Sequence, residues 1–165
     1  MLPSFFSRSL SSRLFLVLFS AVSLLTACEK DKDYAAIDEG LIKQYIADNK
    51  LVDAQRQESG LYFVPITKTS GVQPKGGQLV SVLYTGMLLN GTVFDATSNR
   101  GNKPFSFSLG RNEVIKGWDE GIALLKKGEK ATLLIPSQLG YGSQATGSIP
   151  ANSVLRFDVE LVDVK

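Results

Sequence analysis

The stretch QLVSVLYTGMLLNGTVFDAT (residues 78–97) holds two β-prone runs on either side of Asn90-Gly91. Asn-Gly between such runs is a strong hairpin signal, because both residues tolerate the positive φ that a tight hairpin turn needs. Antiparallel structure therefore starts here, and neighbouring segments extend it. PFSFSLG (104–110) puts Phe105 and Phe107 on one face, and EKATLLI (129–135) is another strand. VLRFDVELVDVK (154–165) alternates Leu155, Phe157, Val159 and Leu161 with Arg156, Asp158 and Glu160. Upstream, LYFVPITKT (61–69) is short and β-rich, with Pro65 pointing to an edge or a bulge. Between the strands, EVIKGWDEG (113–121) and the residues after it set Val114, Ile115, Trp118, Ile122 and Leu125 on one helical face. These segments predict an α+β fold, a five- to six-stranded antiparallel sheet wrapping one short helix.

A chain of 165 residues has room for one such domain and some tether. Its formal charge is +2, but Arg8 and Arg13 lie in a leading segment that reads as removable, which leaves 16 basic against 16 acidic side chains. That balance excludes the basic surplus of a nucleic-acid binder. There is no histidine and one cysteine, Cys28. A histidine triad, a histidine-ligated metal, a Cys-rich zinc site and an internal disulfide are all ruled out. No phosphate-binding loop, dinucleotide fingerprint or nucleophile elbow occurs, so neither a metal nor a cofactor is expected. Asp119-Glu120 and Asp158/Glu160 read as solvated surface rather than acid–base pairs. Asp95, directly after Phe94, is open to two readings: a turn aspartate, or one acceptor beside an apolar wall.

The front of the chain reads as an address. A basic, Ser-rich start precedes an apolar run from Leu14 to Leu25, about the length of a signal-peptide core and short for a membrane span. The run ends in Leu25-Thr26-Ala27-Cys28, which resembles the bacterial lipobox. That resemblance implies a signal peptide over 1–27, lipidation of Cys28 and a lipid-anchored protein of the cell envelope; Glu29 favours the outer membrane where there are two. EKDKD (29–33) is either a solvated linker or a surface-export tether. Next, Ile37, Leu41, Ile42, Tyr45 and Ile46 recur at spacings of three and four, predicting a helix that serves as spacer or docking element. The expected division is 1–27, then 28–59 for lipidated Cys28, tether and helix, then a domain over 60–165.

Four blocks in order, YTGMLLNGTVFDAT, NKPFSFSLGRNEVIKGWDEG, KKGEKATLLIPSQLGYG and SIPANSVLRFDVELVDV, resemble the FKBP-type peptidyl-prolyl isomerase domain from about Leu61 to Lys165. The resemblance implies that family's curled sheet around one helix and its activity, rotation of Xaa-Pro bonds. It also implies that Trp118, which base rates alone would place in the core, is the pocket floor. Tyr84, Phe94, Phe105, Val114, Ile115 and Phe157 would be its walls, and Ile149 would close the mouth. Asp95, the hydroxyl of Tyr141 and the Ile115 N–H would supply the polar contacts. The loop from Tyr141 to Ile149 looks one residue shorter than in common members, and the SNRGN stretch after Asp95 is variable.

Implied partners are unfolded or partly folded exported proteins with Xaa-Pro bonds, the membrane through Cys28, macrolide ligands, and a second copy of the chain paired through the N-terminal helix. Two other classes compete with the enzyme: an anchored module that binds proline-containing segments without turnover, and a purely structural lipoprotein. The second would have no use for the pocket set.

Overall fold

The computed structural model describes residues 32–165, so Cys28 and the leader over 1–27 lie outside the described residues. In the strand Leu79–Leu88, Val80, Val82, Tyr84 and Gly86 alternate inward, and inward alternation of this kind sets the sheet. In chain order the strands are β1 (Gln55–Arg56), β2 (Tyr62–Pro65), β3 (Leu79–Leu88), β4 (Val93–Ala96), β5 (Phe105–Ser108), β6 (Lys130–Ile135) and β7 (Leu155–Val164). The helices are α1 (Tyr34–Asp48) and α2 (Lys116–Ala123). All seven strands join one antiparallel sheet in the order β1-β2-β6-β7-β3-β4, with β5 paired to β3.

The curled sheet around a short helix is as the sequence predicts, but it has seven strands where five to six were expected. The additional strand is β1, two residues within the polar segment after α1, too short for any periodicity to show. A hairpin forms at Asn90-Gly91, but as a three-residue loop over 89–91: Leu88 N–H donates to Thr92 C=O and Gly91 N–H to Leu88 C=O, both at 2.9 Å, and of the pair Gly91 alone takes a positive φ, +88°. Pro65 pairs with Ala131 on one side; on the other, β1 stops opposite Phe63, so the proline leaves no ladder bond unmade.

Because side chains alternate across a strand, β2 and β6 feed two separate apolar clusters. Leu61, Phe63, Leu133 and Ile135 join Trp118, Ile122 and the inward residues of β3, β5 and β7 in the main core. Tyr62 and Leu134 join Ile42 and Val154 in a smaller cluster beneath α1. Every residue of β6 after Lys130 is buried, hence its continuous apolar run.

α2 is shorter than its pattern suggests, since Ile115 is still extended (ψ 149°) and caps the helix with its carbonyl. Its glycines seat it against β6. A Cβ on Gly117 would lie 2.5 Å from Ile135 Cγ2, and one on Gly121 2.6 Å from Leu133 Cδ1.

The N-terminal helix is part of the compact unit Asp33–Lys165. Its face is rotated from the expected one: Asp38 and Ile42 are buried, while Ile37 and Leu41 are more than two-fifths exposed. Polar anchors explain the rotation. Glu39 accepts from Tyr62 Oη (2.8 Å) and Arg56 Nε (3.0 Å) and pairs with Lys43, and Arg156 donates to Tyr45 Oη at 2.7 Å. Although burial pulls the Glu39 carboxyl upward, the hydrogen bonds from Tyr62, Lys43 and Arg56 lower it from 4.5 to about 2. A depressed carboxyl stabilises the fold above its unfolded value and loses that contribution as pH falls through the folded one. Acid-denaturation curves of wild type and Glu39→Gln should therefore differ at neutral pH, wild type being more stable. The gap should close between pH 4.5 and about 2.

Candidate functional site

Where β3, β4, β5, β7, α2 and the loop after β6 converge, a cavity of about 520 Å³ opens. Trp118 lies beneath it, 4% exposed. Its ring meets Tyr84 at 4.9 Å and Phe157 at 5.3 Å between centroids, both edge-on, with Phe107 at 5.8 Å and Phe105 at 6.1 Å. Phe94 stands edge-on to Phe157 at 5.5 Å. Edge-to-face packing of this kind locks each ring by its neighbours, so the cup is preformed. The indole Nε1 is buried without a hydrogen-bond partner among the described residues.

One backbone feature makes room for the cup. Gly86, on β3, sits where a Cβ would lie 2.6 Å from both Phe157 Cε1 and Phe94 Cε2. β-branched residues favour strands, yet only hydrogen fits beneath these two rings.

The polar side of the cavity is Asp95. Tyr84 Oη donates to its Oδ2 at 2.5 Å, Arg100 Nη2 pairs with its Oδ1, and Arg100 also reaches Tyr84 Oη at 3.2 Å. Burial pulls the Asp95 carboxyl upward, but the bonds from Arg100 and Tyr84 outweigh it and hold the group below its ordinary 3.8. The Tyr84 phenol is pushed up, by burial first and then by its bond to Asp95. Asp95 is thus a fixed anion at neutral pH and has no proton to give. Removing the guanidinium with Arg100→Ala should raise the midpoint of the Asp95 carboxyl in an NMR titration. An unmoved midpoint would show that Tyr84 alone holds the charge.

At the cavity edge, Ile115 caps α2: its carbonyl accepts from Trp118 N–H (2.9 Å) and Asp119 N–H (3.3 Å). Its own N–H has no intrahelical partner to find. The turn before it is tied to the helix by Asp119, which accepts from Gly110 N–H (2.8 Å) and Asn112 N–H (3.1 Å). Glu120 accepts from Ser59 Oγ, Asp158 from Thr132 Oγ1, and Glu160 pairs with Lys130. The carboxylates read as solvated surface are therefore structural ties.

Of the residues expected at the site, Asp95, Tyr141, Trp118, Phe94, Tyr84, Phe105, Val114, Ile115 and Phe157 all line the cavity. Ile149 does not. It is 5% exposed and belongs to the main core, because a bridge with Thr146 (2.9 Å in both directions) folds its loop over. Arg100, Asn112 and Glu113 line the cavity unpredicted. Arg100 falls in the SNRGN stretch, and the hint available was a lone cation five residues after Asp95. No cluster of His, Cys, Asp and Glu among the described residues could hold a metal.

Comparison with known proteins agrees with this geometry. The model of a family described as FKBP-type peptidyl-prolyl cis-trans isomerase matches residues 70–162. The chain is 50% identical to peptidyl-prolyl cis-trans isomerase Fkbp12 of Drosophila melanogaster over 108 residues, 64% of this chain and 99% of that protein. It is 41% identical to FKBP-type peptidyl-prolyl cis-trans isomerase FkpA of Aeromonas hydrophila over 145 residues, 87% of this chain but 53% of that one. The chain thus spans about half of that longer relative. Among solved structures it is similar to FkpA from Escherichia coli, with a TM-score of 0.69 and 41% identity over 79% of this chain and 61% of that. It is also similar to AtFKBP13, with a TM-score of 0.64 and 40% identity over 68% and 99%.

Proposed function

The chain belongs to the FKBP-type peptidyl-prolyl cis-trans isomerase family and carries an isomerase domain of that type; we propose that it speeds Xaa-Pro rotation in exported proteins from a lipid anchor at the cell envelope. The observation that carries the chemistry is the aromatic cup over Trp118 with one fixed anion at its side. Rotation about an Xaa-Pro bond breaks no covalent bond but loses amide resonance, at a barrier of about 18–20 kcal/mol. Water favours the planar amide by solvating its polarised carbonyl. In the cup, Trp118, Phe94, Phe105 and Phe157 enclose the proline ring and exclude that water, so the planar form loses its advantage. The Ile115 N–H and the Tyr141 hydroxyl offer hydrogen bonds to the displaced carbonyls. Asp95, held ionised, orients Tyr84 in the wall and takes no part as an acid.

The location rests on the sequence: the leader, its apolar core and Leu25-Thr26-Ala27-Cys28. Outside the cytoplasm, where nucleotide-driven chaperones are absent, uncatalysed proline exchange takes about tens to hundreds of seconds and limits folding. Cells expressing the full chain with labelled palmitate test the anchor. Label should enter wild type, in the membrane fraction, and be absent from Cys28→Ser; an unlabelled wild type removes the anchor. NMR exchange of an Xaa-Pro peptide tests turnover, and a peptide that binds without accelerated exchange would mark a binding module.

A further inference from the structure

Tyr141 differs from the other cavity residues in how it is held. It is 38% exposed and takes part in none of the ring-to-ring contacts that lock Trp118, Tyr84, Phe94, Phe105 and Phe157. Its backbone is anchored on both sides. Both flanking residues hang from a single oxygen: Gly140 N–H and Gly142 N–H donate to Ser137 C=O at 2.9 and 2.8 Å. Ser137, 2% exposed, is the fixed point of the loop.

Ser137 in turn is gripped from α1. Asp38 Oδ2 accepts from Ser137 N–H at 2.8 Å and from Ser137 Oγ–H at 2.6 Å, across 99 residues of sequence. Asp38 is fully buried, one helical turn before the buried Ile42. Its Oδ1 is buried with no hydrogen-bond partner among the described residues. A buried acidic side chain with one oxygen unpartnered destabilises the fold relative to an apolar side chain, so packing alone does not account for it. Two hydrogen bonds onto one residue do account for it, since they are short and directional.

We propose that Asp38 is a positioning residue for the isomerase site: through Ser137 it sets where Tyr141 presents its hydroxyl, making α1 part of the catalytic apparatus although it lies outside the matched residues 70–162. This rests on the isomerase reading above, with Tyr141 as a substrate contact.

The test is a double-mutant cycle on the full chain, read as kcat/KM for Xaa-Pro exchange with folding followed by thermal melting. Asp38→Ala should lower kcat/KM about tenfold in the wild-type background and less than about twofold when Tyr141 is already Phe. Asp38→Asn, whose amide oxygen can still accept from Ser137, should recover most of the loss. A purely structural role would instead lower the folded fraction and give the same loss in both backgrounds, which overturns the proposal. So does a folded Asp38→Ala chain at wild-type rate. If Asp38→Ala does not fold, Ser137→Ala decides: it removes the Oγ bond alone, and a loss of about threefold that vanishes beside Tyr141→Phe is expected. An unchanged rate there overturns the proposal. Wild type that fails to accelerate exchange at all overturns the isomerase reading first, and is recognised by its independence of any Asp38 variant.

Discussion

Trp118→Ala is expected to fold weakly and to lose its hold on proline-containing peptides. The indole is almost wholly buried, and four aromatic rings lean on it between 4.9 and 6.1 Å. Truncating a buried Trp to Ala costs about 3–5 kcal/mol, a large share of the stability of a domain this size. The cavity would also lose its floor, and Tyr84 and Phe157 their shared edge-on partner. Binding per folded molecule should weaken at least about tenfold, read by NMR titration of an Xaa-Pro peptide beside thermal melts. Trp118→Phe keeps an aromatic floor and should fold, with weaker binding. Wild-type affinity in the folded fraction of the alanine variant would move Trp118 from the site to the core alone.

Gly86→Ala should damage activity more than stability. The added methyl would sit 2.6 Å from Phe94 on one side and Phe157 on the other, so neither ring can retreat without moving its neighbour. Overpacking a core position costs about 1–3 kcal/mol. The rings displaced are two walls of the cavity, and misplacement of about 1 Å in a catalytic site can cost about 100-fold. Gly76→Ala is the control, because nothing lies within 4 Å of the Cβ it would add. Gly86→Ala should melt below Gly76→Ala by about 3–15 °C, yet both should be folded at about 25 °C and differ sharply in exchange rate there. Equal rates would mean that the walls have slack that their packing does not suggest.

Much of this molecule could be read from residue order, and the parts that could not share a cause. Alternation in residues 105–108 and 155–161 and the Asn90-Gly91 turn gave strands where strands are, because one face of each looks into a single core. The face of α1 was misjudged because apolar spacing placed Ile37 and Leu41 inward. Hydrogen bonding from Ser137, Tyr62 and Arg56 turned Asp38 inward and held Glu39 at the seam instead. The place of Arg100 depends on a single 3-10 turn, Thr97–Arg100, that folds it back over Asp95. Ile149 was set by a two-residue bridge. Each miss is a polar or short-range contact between segments, which carries no period.

The strand that comes last along the described chain, β7, lies mid-sheet, joining β3 on one side to β6 on the other. A chain emerging from a ribosome in order therefore holds two unjoined halves until residues 155–164 follow. Phe157 is missing from the cup for as long. Such long-range pairing makes folding a late and collective event rather than a gradual one. The cup over Trp118 thus comes into being only when β7 slots between β3 and β6, so the site and the middle of the sheet are made in one step.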